Sequence, residues 1–149
     1  MEKVMPTKVS KYMSPKVITV VSSMGIREAF FLMREKEIRH LPVVDEGQLV
    51  GIVSDRGLRR PDWVDEAPDI SHIYDLNDDL YVGDIMIKNI FCLHTYDTLS
   101  KAVKLLLDQK IGAAPVLDKD EGLVGMLSAV DLLQALGDVL SAEKQMKKT

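Results

Sequence analysis

Cysteine is nearly missing from this chain: Cys92 is the single one among 149 residues. A lone thiol excludes an intrachain disulfide and suits a reducing compartment, so a cytoplasmic protein is expected. Cys92 lies in an apolar run and is read as a small buried residue. Long hydrophobic runs are missing too. No stretch reaches the roughly 20 apolar residues that a membrane-spanning helix needs, and the opening MEKVMPTKVS lacks the apolar region of a secretory signal. No membrane partner is therefore expected. Basic charge is not in excess either: 19 Lys and Arg against 23 Asp and Glu leave a net charge of -4, whereas a nucleic-acid binder usually shows a basic face and a high pI. That argues against nucleic acid as the main partner, although a local basic pair can still hold one phosphate group.

The sequence also lacks a nucleophile–base pair, a metal-ligand spacing and a Gly-rich phosphate loop. His72 with Asp69 and Asp75 has no specific spacing for a metal ion. The expectation is a protein that is not an enzyme, with no catalytic residue, no metal site and no required cofactor.

What the chain does have is repetition. VSKYM at residues 9–13 returns as VGDIM at 82–86, HLPVVD at 40–45 as AAPVLD at 113–118, and LVGIVS at 49–54 as LVGMLS at 123–128, about 73 residues apart. Each half alone is near the size at which a core becomes marginal, and apolar residues at 46% are enough to make packing the halves together worthwhile.

Each copy reads β-α-β-β-α. Residues 17–21 are a β-branched apolar run, Ser22 and Ser23 a cap, and Ile26, Ala29, Phe30 and Met33 a stripe at helical spacing. In copy two, residues 90–93 are the strand, Thr95 or Asp97 the cap, and Leu99, Ala102, Val103 and Leu106 the stripe. Two short apolar runs around Glu46-Gly47 then predict a β-hairpin, repeated in copy two with a turn at 118–122 one residue longer. A second helix follows each hairpin. In copy one it starts near Arg56 and cannot run far past Pro61; in copy two it covers residues 130–140. The predicted organisation is copy one at 7–60, an acidic linker at 61–80, copy two at 81–140 and a polar, frayed tail at 141–149.

The phrases IRHLPVVDEGQLVGIVSDRGL and IGAAPVLDKDEGLVGMLSAVDLLQAL, in this order, resemble a tandem pair of CBS (cystathionine β-synthase) domains, a Bateman module, over roughly residues 7–140. Within that family the chain is similar to small bacterial proteins linked to acetoin utilisation. The resemblance implies a mixed α/β (α+β) fold of two CBS repeats packed with pseudo-twofold symmetry. It further implies two clefts that take adenosine-containing ligands (AMP, ADP, ATP, S-adenosylmethionine or NAD) and pairing of two modules into a flat homodimer.

The candidate site residues follow from chemistry and family pattern together. An ionised carboxylate is acceptor-only and has two oxygens, so a single Asp can take both hydroxyls of a ribose. Asp131, three residues after Ser128, matches the family's Ser/Thr-x-x-Asp ribose element. The same spacing is equally a helix N-terminal cap. For the same cleft the family pattern points to Lys16, Val17 and Ile18, and to Ile38, Arg39 and His40. The apolar side chains would sandwich a purine, and Arg39 and His40 would take phosphate. For Arg39 the alternative is an exposed charge near a helix end, and for His40 a half-buried strand residue.

The other cleft would use Ser54, Asp55, Asn89, Ile90, Ile111, Gly112 and Ala113. There Gly57 stands where the ribose Asp should be, Asp55 comes two residues too early, and Gly112-Ala113 replace the basic pair. That cleft is expected to be the weaker. Arg56, Arg59 and Arg60 read as solvent-facing. The function expected is a non-catalytic regulatory module that binds an adenosine nucleotide and signals occupancy to an effector protein that the sequence does not identify. The alternative is a constitutive homodimerisation scaffold without ligand.

Overall fold

In a computed structural model, residues 7–55 and 80–147 are described. The second helix expected in copy one, with Arg56, Gly57, Arg59 and Arg60, and the acidic segment with Asp69, His72 and Asp75 lie outside them. The elements in chain order are α1 (Val9–Tyr12), α2 (Ile26–Lys36), β1 (His40–Asp45), β2 (Gln48–Ser54), α3 (Val82–Ile85), β3 (Leu93–His94), α4 (Leu99–Gln109), β4 (Ala113–Leu117), β5 (Leu123–Ser128) and α5 (Ala129–Lys147). Helix and strand are mixed within each copy.

Both hairpins form as the alternation predicts. β1 pairs antiparallel with β2, with His40 opposite Ser54 and Asp45 opposite Gln48. The two-residue loop is Glu46 (φ 49°) and Gly47 (φ 79°), both left-handed as a tight hairpin turn requires. β4 pairs with β5, with Ala113 opposite Ser128. Its longer turn is closed by Asp118, whose Oδ1 accepts from the N–H of Asp120 and of Gly122 at 2.9 Å each. The register shifts at Val43/Val44 and again at Val116/Leu117, so even the bulge is repeated.

The strand expected ahead of each helix is much shorter than the apolar runs suggested. In copy one it shrinks to a single parallel bridge of Val20 to Val43, with Val20 N–H on Pro42 C=O and Val44 N–H on Val20 C=O. In copy two it is Leu93–His94 alone, parallel to β4. Proline explains the limit: Pro42 and Pro115 have no N–H to continue a parallel ladder toward the start of the chain.

The helix caps also differ from expectation. Helix α2 starts after Gly25 without a side-chain cap, because Ser22 turns instead to Asp45, donating from its N–H (2.9 Å) and Oγ (2.6 Å). That pairing holds the Asp45 carboxyl below its ordinary range, since both bonds favour the ionised form. Helix α4 is capped by Thr98, which accepts from Lys101 N–H, rather than by Thr95 or Asp97. Asp97 is buried, accepting from His94 N–H and pairing with Lys101 Nζ. Both helices end on a left-handed non-glycine residue, Glu37 (φ 55°) and Lys110 (φ 56°). The next N–H reaches back to the last turn, Ile38 to Met33 C=O and Ile111 to Leu106 C=O, and each isoleucine packs on a core, the usual arrangement of such an end. The expected frayed tail is instead helical: α5 runs to Lys147, through Ala142, Glu143, Lys144, Gln145 and Met146, all good helix formers.

The described residues fall into two compact units, and these are not the two sequence copies. One unit runs Ile18–Ile90; the other joins residues up to Val17 with those from Phe91 onward. Each copy's opening helix therefore packs in the unit of the other copy. Helix α1 is tied to copy two by Val9 N–H on Asp97 C=O and by Ser14 exchanging both backbone bonds with Met126. Helix α3 is tied to copy one by Val82 N–H on Met24 C=O and by Ile87 exchanging both bonds with Ile52. A glycine makes room each time. A Cβ on Gly125 would lie 2.6 Å from Met13 Sδ and 2.9 Å from Ser14 O, and one on Gly51 would collide with Met86 Sδ.

The two cores match position for position. Val20, Ala29, Met33, Leu41, Val43, Val53 and Val82 are buried in one unit, and Leu93, Ala102, Leu106, Ala114, Val116, Leu127 and Val9 in the other. Two expected pairs differ: Ile26 is buried and Leu99 only half-buried, and the second difference is larger. Phe30 is fully buried, whereas Val103 at the same helical position is 42% exposed.

Candidate functional site

At the end of β5 the chain turns straight into α5, and this junction positions Ser128 and Asp131. Asp131 Oδ2 accepts from Ser128 N–H at 2.8 Å, and Ser128 Oγ accepts from Asp131 N–H at 3.2 Å. This is a reciprocal helix cap, the bland alternative for the motif. The cap uses one carboxylate oxygen; among the described residues Oδ1 takes no hydrogen bond. With about four lone-pair sites on a carboxylate, Asp131 can cap its helix and still accept two hydroxyls. The two readings are therefore compatible. Asp131 and Ser128 are half-buried.

Beside this junction, Ala129 N–H donates to Gly112 C=O at 2.9 Å, and Ala113 is paired with Ser128. Gly112 is exposed, while Ile111 is half-buried and Ala113 buried. Lys16 (exposed) and Val17 (half-buried) belong to this same unit. It offers backbone and a carboxylate, with no cation at the positions matching Arg39 and His40.

The other unit repeats the backbone and changes the side chains. Asp55 N–H donates to Arg39 C=O at 2.8 Å, and His40 is paired with Ser54. Arg39 and Asp55 line an open cavity of about 290 Å³ together with Met33, Arg34, Glu37 and Ile38. Ile18 packs on the core of this unit, Asn89 is exposed and Ile90 half-buried. The structure thus brings Ile38, Arg39, His40, Ser54 and Asp55 together in one unit, and Ile111, Gly112, Ala113, Ser128 and Asp131 in the other.

Burial pushes the His40 imidazole below its ordinary pKa of 6.5; the Arg39 charge adds to this and Asp55 works against it. His40 is therefore neutral at pH 7 and donates from one ring nitrogen, not two. The thiol of Cys92 is raised by burial and by the Glu121 charge, which keeps it protonated and unreactive. Cys92 is half-buried, not fully buried as its apolar run suggested.

Met33, Arg34 and Glu37, which line the cavity, were not among the expected site residues. A helical wheel holds the signal, since residues 30, 33, 34 and 37 share one side of α2. No cluster of His, Cys, Asp or Glu suited to a metal ion occurs among the described residues, and none of their helices is long and apolar enough to cross a membrane.

Comparison with known proteins places this geometry. The CBS domain family matches residues 9–61 and 82–138, and the chain belongs to that family. A CBS domain-containing protein of Dictyostelium discoideum is 32% identical, covering 91% of this chain and 95% of its own length. The homoserine O-acetyltransferase of Methanohalobium evestigatum is 34% identical over 85% of the chain, but the chain spans 23% of that protein. Among solved structures, CBSX2 of Arabidopsis thaliana superposes with a TM-score of 0.80 at 28% identity, over 92% of this chain and 99% of that one. CBSX2 in complex with AMP gives 0.69 at 28% identity, over 89% and 97%. The CBS domain pair of protein MJ0100 in complex with 5-methylthioadenosine and S-adenosyl-L-methionine gives 0.73 at 25%, over 90% and 98%. A putative acetoin utilisation protein, AcuB of Vibrio cholerae, shares the fold (TM-score 0.74, 23% identity, 94% and 98% coverage). CBSX2 and the CBS pair of MJ0100 are thus seen with adenosine ligands.

Proposed function

We propose that this protein is a non-catalytic regulatory module that binds an adenosine-containing ligand, AMP, ADP or ATP in the first place. The observation that carries the proposal is the Ser128–Asp131 junction, where a carboxylate caps its helix and keeps an oxygen that takes no hydrogen bond among the described residues. Asp131 takes the ribose hydroxyls. Arg39 and His40 take phosphate, and Lys16, Val17, Ile18 and Ile38 contact the base. Ser54, Asp55, Asn89, Ile90, Ile111, Gly112 and Ala113 form the weaker set, which has no matching ribose Asp in the described residues. A sensor of adenine nucleotides works where those nucleotides are, so the proposed location is the cytoplasm. The output goes to an effector protein and requires that the ligand favour one of two states.

The test is thermal unfolding with AMP, ADP, ATP, NAD and S-adenosylmethionine, run beside Asp131→Asn. A ligand at about 100 times its Kd adds roughly 2.7 kcal/mol, or roughly 5–10 °C at this chain length. The shift should shrink to near zero in Asp131→Asn. If no nucleotide moves the native protein, the alternative of a ligand-free scaffold takes over. An equal shift in the variant would remove Asp131 from the site.

A further inference from the structure

Helix α5 carries Asp131 in its first turn and lies against α1, α4 and β5 of its own unit. Its inner side is set by Ala135, which is buried, and by Leu132, which packs on the copy-two core. At the same step of three comes Asp138, where an inner stripe calls for an apolar residue. Its Oδ2 accepts from the Tyr12 hydroxyl at 2.5 Å, and the Tyr12 ring packs on the same core. One phenol thus ties the first helix to the last, across 126 positions. The bond pushes the Tyr12 phenol above its ordinary pKa, since a phenolate would lose its proton to donate and face a carboxylate, so Tyr12 stays a donor at neutral pH. The tie belongs to this half alone. Ile85 stands at the place of Tyr12 in α3 and, by the spacing that matches Ser54 to Ser128, Val64 stands at the place of Asp138. Neither side chain can make the bond. The half with Asp131 has both partners of the tie, and the half with Gly57 has neither.

We propose that Tyr12 and Asp138 are positioning residues for the Asp131 site, an inference that rests on the ribose reading above. Asp131 and Asp138 are seven residues apart, which is two turns on one face and about 10 Å along the axis. The apolar contacts of Leu132 and Ala135 hold α5 down but are non-directional, whereas a hydrogen bond has a preferred angle as well as a distance. The bond at Asp138 therefore fixes the rotation of α5 about its own axis. That rotation aims the carboxylate of Asp131, two turns earlier, at the ribose hydroxyls. A surface bond that only stabilises the fold would leave ribose recognition untouched, and this difference is what the test reads.

Calorimetric titration of the full chain with AMP and with 2′,3′-dideoxy-AMP separates the two, because only AMP presents the hydroxyls that Asp131 takes. The native chain should prefer AMP. Tyr12→Phe keeps the ring on the core and should weaken AMP by about fivefold, the low end of coupling between sites, with dideoxy-AMP unchanged. Asp138→Ala should do the same although alanine is the better helix former, so a lost helix is not the cause, and circular dichroism checks this. The double variant should be no weaker than either single one, since each removes the same bond. A native chain that binds neither nucleotide, or shows no preference for AMP, overturns the ribose reading and the positioning role with it. A native chain that prefers AMP while both variants keep the full preference, or lose both nucleotides equally, overturns the positioning role alone.

Discussion

The two units share one backbone plan and carry different chemistry on it. Hairpin register, bulge, left-handed helix end and the proline that stops the first strand all recur at matching positions. The side chains at the end of the helix and the hairpin do not. One unit has Arg34, Glu37, Arg39, His40 and Asp55; the other has Leu107, Lys110, Gly112, Ala113 and Ala129 there, and keeps an Asp at 131. A duplicated fold needs every copy to bury the same core, but only one copy of each ligand contact is required. The difference teaches that divergence has been free where packing does not decide.

The largest effect expected from breaking this comparison is in the helices that open each core. Phe30→Ala should cost about 3–5 kcal/mol, as for other buried phenylalanines. Val103→Ala, at the matching but 42% exposed position, should change stability by less than about 0.5 kcal/mol. Urea unfolding of both variants checks this, and equal losses would contradict the inequality of the cores.

The glycines under the exchanged helices come next. Gly125→Ala presses on Ser14 O, a backbone atom held in a pair of hydrogen bonds, besides Met13, and should cost about 2–3 kcal/mol. Gly51→Ala meets only the Met86 side chain, which can swing away, and should cost about 1 kcal/mol. The ratio of the two denaturation midpoints reads whether backbone or side chain resists.

The smallest effect separates His40 from its counterpart Ala113. With its folded pKa lowered, the unfolded chain binds more protons than the folded one in a window just below pH 6.5, so stability rises with pH there and falls as pH drops through it. His40→Ala should flatten that part of the profile. Phosphate on His40 would favour its protonated form, so nucleotide affinity should rise as pH falls, while adenosine affinity should not. Denaturation midpoints and titrations at pH 5.5 and 7.5 are the readouts.

Much of this architecture is legible in the residues. Alternation around Glu46-Gly47 marks the hairpin, and the apolar steps from Ile26 to Met33 mark the helix. The brevity of the first strands was legible in principle, since Pro42 and Pro115 stand in the strands they would pair with. Capping was not: Ser22 is as good a cap as any by type, but its hydroxyl goes to Asp45, a residue 23 positions on. The neutrality of His40 was hidden for a similar reason, since burial and the Arg39 charge act on it only once the chain is folded.

The sequence by itself determined the doubling, the helix-then-hairpin order of each copy and the places where the copies disagree, because period, proline, glycine and turn residues act over a few positions. Which surfaces meet was decided by the tertiary structure alone. Helices α1 and α3 leave their own copy and pack on the other, against Gly125 and Gly51, and nothing local distinguishes that arrangement from packing at home. The same holds for the outer face of α5. A stripe of Val130, Leu133 and Leu140 reads as core in any sequence, and only the fold, by burying Leu132 and Ala135 instead, turns it outward.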